Sequence, residues 1–208
     1  MKEIGGYFEL ENSNGNSEYY TNLIALNTAR NALEYLLIAR KIEKLYIPSF
    51  LCDTVSRVCL RAGYSYEEYK IDKSFLPIFN KQLAANEYIY IVNYYGLLNK
   101  DIILGLKAKY NRVILDNVQA FFSRPLSNID TIYSCRKFFG VPDGAYLATD
   151  CEKIKNLKID SSNGRLSHIL GRSKDGASAH YQEYKDNDES FYDLPLMLMS
   201  ELTHSLLA

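Results

Sequence analysis

The stretch "EYIYIVNYYGLLNKDIILGLKAKYNRVILDN", Glu87 to Asn117, decides the fold. Its opening "EYIYIVNYYG" is an apolar and aromatic run of the kind that forms a buried strand. "DIILGLKAKYN" then predicts a helix, and "RVILDN" a second buried strand. A helix between two such strands carries the chain back across the sheet, so the second strand lies parallel to the first.

The same alternation continues on both sides. Upstream, "TARNALEYLLIARKI" places Ala32, Leu33, Leu36 and Leu37 at helical spacing. "KLYIPSF" predicts a short strand stopped at Pro48, "CDTVSRVCLRAG" a helix ended by Gly63, and "SYEEYKI" a strand. Downstream, "TIYSC" and "GAYLAT" are two further strands. The pattern predicts an α/β three-layer sandwich around a mostly parallel central sheet. From about Asp150 the polar run "NGRLSHILGRSKDGASAHYQEYKDNDES" predicts a long loop with short helical pieces, and "YDLPLMLMSELTHSLLA" the start of a helix. The expected partition is an N-terminal segment over 1–20, a core over 21–150 and a loop-rich segment with the helix start over 151–208.

Composition narrows the function classes. An apolar share of 47% and a charged share of 24% are ordinary for a globular chain. The formal net charge of -1 supplies no attraction for nucleic acid or an anionic membrane. No apolar run is long enough to span a bilayer, and "MKEIGGYFELEN" lacks the features of a secretion signal, so a cytoplasmic location is expected. Cys52, Cys59, Cys135 and Cys151 are scattered, and His168, His180 and His204 lie late and apart. Neither structural zinc nor disulfides are expected from that spacing.

In open parallel sheets, ligands collect at the carboxyl ends of the strands. Four polar groups fall there: Pro48 to Cys52, Asn93 to Gly96, Asp116 to Gln119, and Ser134 to Lys137. The helix opening at Asn27-Thr28-Ala29-Arg30 adds free amides that attract phosphate. In "YSCRKFFGVPDGAYLATD" a lysine arrives between two apolar strands, followed by two phenylalanines. Such a lysine either loses solvation and becomes a nucleophilic amine, or points into solvent at a hairpin end. Asp116 either holds a ring nitrogen protonated or caps the segment that follows; Gln119 and Ser134 have equally plain structural readings. A reactive amine, a carboxylate and a phosphate-binding helix end together meet the requirements of pyridoxal 5'-phosphate.

Five words in order, "LNTARNAL", "LYIPSFLCDTV", "IVNYYG", "VILDNVQAFFS" and "SCRKFFGVPDGAYLAT", resemble the DegT/DnrJ/StrS-type sugar aminotransferases. The "IGGYFELE" start is similar to a less-studied branch of that family. The resemblance implies the aspartate-aminotransferase-like large domain of fold-type-I enzymes and pyridoxal phosphate as cofactor. It implies that Lys137 is the Schiff-base lysine, that Asp116 pairs with the pyridine nitrogen and that Gln119 contacts the phenolic oxygen. Ser134 and the backbone amides of Ala29, Arg30 and Asn31 fall where the phosphate is bound, and Cys52 where the ring is stacked. It further implies an amino-acid donor, a nucleotide-linked keto-sugar acceptor and a homodimer.

The departures are specific. Ala29 stands where a glycine is usual, Cys52 where an aromatic residue or a histidine is usual, and the Ser134–Lys137 interval is short. Relatives continue into a small C-terminal domain, which this chain is expected to lack. Two functions follow: an aminotransferase, or a truncated non-catalytic module on the same fold. Arg136 is either a solvated neighbour of Lys137 or an anion contact.

Overall fold

A computed structural model describes residues 5–10, 17–162 and 164–208. Ile4 of the "IGGYFELE" start and residues 11–16 of the N-terminal segment lie outside the described residues.

The Glu87–Asn117 unit is built as its sequence predicts. Strand β5 (Glu87–Val92) leads into helix α3 (Lys100–Tyr110) and returns as β6 (Val113–Asp116), parallel to β5. Asn99 caps α3, its side chain accepting a hydrogen bond from the Ile102 amide. Upstream, α1 (Ala29–Ala39), β2 (Lys44–Pro48), α2 (Thr54–Ala62) and β3 (Ser65–Ile71) follow the predicted order. Helix α2 ends at Gly63, whose φ of 75° is the left-handed conformation that glycine adopts without strain. Downstream come β7 (Asp130–Ser134) and β8 (Ala145–Ala148).

These strands, with β1 (Ile24–Leu26) and β4 (Pro77–Ile78), form one eight-stranded sheet of order β1-β8-β7-β6-β5-β2-β3-β4. The central run from β7 to β3 is parallel. The edges β8, β1 and β4 run antiparallel. Neither β1 nor β4 was predicted, because three-residue and two-residue strands carry too little alternation to register.

Strand alternation divides the core between two helical layers. Ile47, Tyr90, Ile114, Ile132 and Leu147 pack with α1 and α2, while Ile89, Ile91, Val113 and Leu115 pack with α3. The parity matters for the site. In "VILD" and "DTIYS" it directs Asp116 with Ile114, and Ser134 with Ile132, toward the α1 layer.

The 151–208 segment holds α4 (Ser167–Asp175), α5 (Tyr181–Ser190) and α6 (Glu201–Leu207). The expected helix start is shorter than its sequence suggests. Leu198 bridges to Leu26 of β1, and the Asn27 amide donates to the Met197 carbonyl at 3.0 Å. The open edge of β1 thus takes this stretch as extended chain before Ser200 caps α6. The turn "GVPDG" anchors that cap: the Asp143 carboxylate accepts from the Ser200 amide at 3.0 Å and hydroxyl at 2.8 Å.

Candidate active site

The parallel order reverses at β2, whose neighbours are β3 on one side and β5 on the other. A cavity of about 380 Å³ opens there, between the carboxyl ends of the strands and α1. That is within the range of roughly 300–1,000 Å³ for small-molecule sites. Asp116, Ser134 and Lys137 line it from the sheet, Ala29 and Arg30 from α1, and Cys52 from the turn after β2.

Asp116 ends β6 and is buried. Its Oδ2 accepts from the Tyr90 hydroxyl at 2.8 Å, and its Oδ1 from the Val118 amide at 2.7 Å. The second bond is a local turn of the plain structural kind. Each carboxylate oxygen has two lone-pair sites, so both can still accept another donor. Burial raises the Asp116 pKa, while the Val118 amide, the Tyr90 hydroxyl and the charge of Lys137 pull it back. The amine and the acid therefore sense each other across one cavity.

Lys137 takes the second of the two placements left open for it. It closes the single 3-10 turn Cys135–Lys137 and is exposed, not enclosed by aromatic neighbours. The rings that follow it pack elsewhere: Phe138 and Phe139 lie 5.7 and 5.0 Å from Phe121. With Cys135 buried beneath the turn, the lysine is left at the open side of the cavity.

Two predicted residues are not brought to the cavity. Gln119 is exposed, and its Oε1 accepts from the Tyr95 amide at 3.2 Å. Asn31 is buried one turn into α1; its amide donates to the Thr28 hydroxyl at 3.1 Å, and its side chain to Asn27 and to the Pro195 carbonyl, both at 2.8 Å. The N-cap has consumed that amide, whereas Ala29 and Arg30 precede the first helical bond, from the Ala32 amide to the Thr28 carbonyl. Cys52 lines the cavity and is exposed.

Several lining residues escaped the sequence reasoning. Tyr90 was legible from parity, since it shares a face with Val92 and Ile114. Asp188 and Tyr184 come from the segment predicted as loop, and Tyr192 is the first residue of the predicted helix start. Asp188 settles the question left open at Arg136: the guanidinium donates to its Oδ1 at 2.9 Å, while Arg30 donates to its Oδ2 at 2.8 Å. Burial opposes the charge on Asp188, but the two arginines outweigh it and lower the pKa. Outside the cavity, Asp130, Asp150 and Cys151 converge closely enough to ligate a metal ion, but the Arg40 guanidinium already pairs with both carboxylates. Among the described residues no helix is long and apolar enough to cross a membrane.

No family model and no curated protein matches the chain. Solved structures do. NtdA from Bacillus subtilis, with bound cofactor PMP, aligns with a TM-score of 0.51 at 17% identity, over 74% of this chain and 36% of its own. An aminotransferase from Psychrobacter cryohalolentis aligns at 0.48 and 18% identity, over 76% and 41% of the two chains. A DegT DnrJ EryC1 StrS aminotransferase from Brucella abortus aligns at 0.48 and 15% identity, over 81% and 55%. At such identities the likeness establishes the fold, and the NtdA alignment carries it. The chain spans about one third to just over one half of the length of these structures.

Proposed function

We propose that the chain is the cofactor-binding portion of a pyridoxal-phosphate-dependent aminotransferase of the DegT/DnrJ/StrS type. It would move an amino group from an amino acid to a nucleotide-linked keto-sugar, in cytoplasmic surface-polysaccharide or secondary-metabolite synthesis. The observation that carries this reading is that Lys137 and Asp116 line one cavity and Asp116 feels the lysine's charge.

The residues present fit the cofactor. When bound, pyridoxal phosphate supplies an aldehyde that condenses with amines and a ring that accepts electrons. Asp116 would accept a hydrogen bond from the cofactor's ring nitrogen and, as an anion, would favour a proton there. Lys137 presents the amine that attaches the cofactor covalently and, when free, moves a proton at the donor's α-carbon. Its place at the open side of the cavity leaves it free to swing between those tasks. The first-turn amides of Ala29 and Arg30, with the Ser134 hydroxyl, receive the phosphate. Cys52 covers less of the ring than an aromatic residue would. The working unit is a homodimer by analogy with this fold.

A second reading is a module on the same fold that binds without turnover. The positions of Gln119 and Asn31 outside the cavity favour it. Titration with pyridoxal phosphate, followed by absorbance, tests binding. Wild-type protein should develop the band of lysine-attached cofactor, and Lys137→Ala should not. Binding without amino transfer from any amino acid would favour the module; no band at all would remove both readings.

A further inference from the structure

Arg30 and Arg136 place two guanidinium groups against a single carboxylate inside the cavity. Arg30 is only 8% exposed, and its Nη2 donates to Asp188 Oδ2 at 2.8 Å. Arg136 is 12% exposed, and its Nη1 donates to Asp188 Oδ1 at 2.9 Å. Two largely buried positive charges therefore face one negative charge, on a carboxylate that is 34% exposed. The donors are also in surplus: Arg30 Nε and Arg136 Nη2 are buried with no hydrogen-bond partner. Enclosed donors left unpaired carry a desolvation cost that a further acceptor would relieve. Rings hold both cations in place, Tyr192 beneath Arg30 at 4.3 Å and Phe191 beneath Arg136 at 4.6 Å. Both rings follow Asp188 at the end of α5, so that end orients the guanidiniums through ring faces as well as through the carboxylate.

The carboxylate is held differently. Asp188 belongs to α5, a polar helix whose one buried residue is Asn187. Near its end Arg57 approaches Glu189 at 3.5 Å, an exposed pair of the kind that contributes little. The helix ends on Phe191, which is fully buried, so what can move at low cost is the polar turn that carries Asp188 and not the anchor beyond it.

We propose that Arg30 and Arg136 form an oxyanion subsite, occupied within the chain by Asp188 and yielded to a phosphate or carboxylate group of the ligand. A phosphate dianion would match both charges and bring three oxygens to the unpaired donors, where Asp188 brings one charge and two oxygens. Exchange frees the Asp188 side chain and loosens the polar last turn of α5, while Phe191 stays packed against Arg136. The subsite stands on the arginines alone; only the source of the anion rests on the aminotransferase reading.

The test uses the whole chain with inorganic phosphate as the probe. Calorimetric titration should show phosphate binding to the wild type. Asp188→Asn, which removes the internal competitor, should bind about tenfold or more tightly, because a binding-competent state populated at a few per cent becomes dominant. Arg30→Gln and Arg136→Gln should each lose binding, and Lys81→Ala, a lysine outside the cavity, should retain it. Hydrogen exchange on the wild type needs no variant: phosphate should speed exchange in 181–190. Two arms separate the sources. If the cofactor's phosphate fills the subsite, protein loaded with pyridoxal phosphate stops binding inorganic phosphate. If a donor carboxylate fills it, loaded protein binds L-glutamate in a manner that Arg136→Gln abolishes. Equal phosphate affinity in wild type and Asp188→Asn, or unchanged exchange in 181–190 at saturating phosphate, overturns the proposal. Failure of the cofactor to bind leaves the phosphate titrations intact, so the two ideas fail separately.

Discussion

A carboxyl group enclosed as Asp116 is at the end of β6 holds its proton more readily than a free one, its pKa raised by burial despite the Val118 amide, the Tyr90 hydroxyl and Lys137. A raised folded-state pKa contributes stability below the ordinary carboxylate value of about 3.8, and that stability is lost as pH rises through the folded value. The unliganded protein should therefore be weakened by Asp116 at neutral pH. Urea midpoints of Asp116→Asn should lack this decline on the alkaline side while cofactor binding is lost; an unchanged pH profile would contradict the assignment. Tyr90→Phe removes a donor from a buried anion. It should cost about 1 kcal/mol of stability and weaken cofactor binding, read by the same urea and absorbance titrations. Gly144 is constrained differently: at φ 112° an added Cβ would sit 2.9 Å from Thr203 Cγ2 and 3.2 Å from Cys135 Cβ. Gly144→Ala should cost about 1–3 kcal/mol or more in chemical denaturation, loosening the turn that anchors α6.

Helices α4 and α5 bring an element of the least predictable segment onto the cavity, and His168 reports on their packing. It is buried between Tyr7 and Tyr184, at 5.3 and 5.7 Å, with Nδ1 unpartnered. Burial, aided by the positive Arg136 and opposed by Glu183, pushes its pKa down to about 4. The unfolded chain takes up a proton below 6.5 that the folded one refuses, so stability rises with pH between about 4 and 6.5. The span corresponds to as much as about 3 kcal/mol. His168→Phe should flatten the dependence in that window, measured by urea unfolding from pH 4 to 7. Neither the helices nor Asp188 could be placed from sequence. "YQEYKDNDES" has almost no apolar residues to set a period, and the partner of a salt bridge 52 residues away from Arg136 leaves no local trace. The strands were legible because β5, β6 and β7 are buried on both sides, and parity alone points Asp116 and Ser134 at the cavity. For Lys137 the sequence left two placements open, enclosed among rings or exposed at a hairpin end, and a 3-10 turn that composition does not reveal gives the exposed one.

For the molecule as a whole, one eight-stranded sheet holds an acid at the end of β6 and an amine just past β7, while α1 closes the third side. The central claim is that a single pyridoxal ring joins that acid and that amine. Incubation with pyridoxal phosphate, borohydride reduction and peptide mapping by mass spectrometry test it directly. The cofactor mass should be fixed on Lys137 in the wild type, greatly reduced in Asp116→Asn and absent in Lys137→Ala. An adduct of equal yield in Lys137→Ala, or one spread over the surface lysines of the wild type, would contradict it.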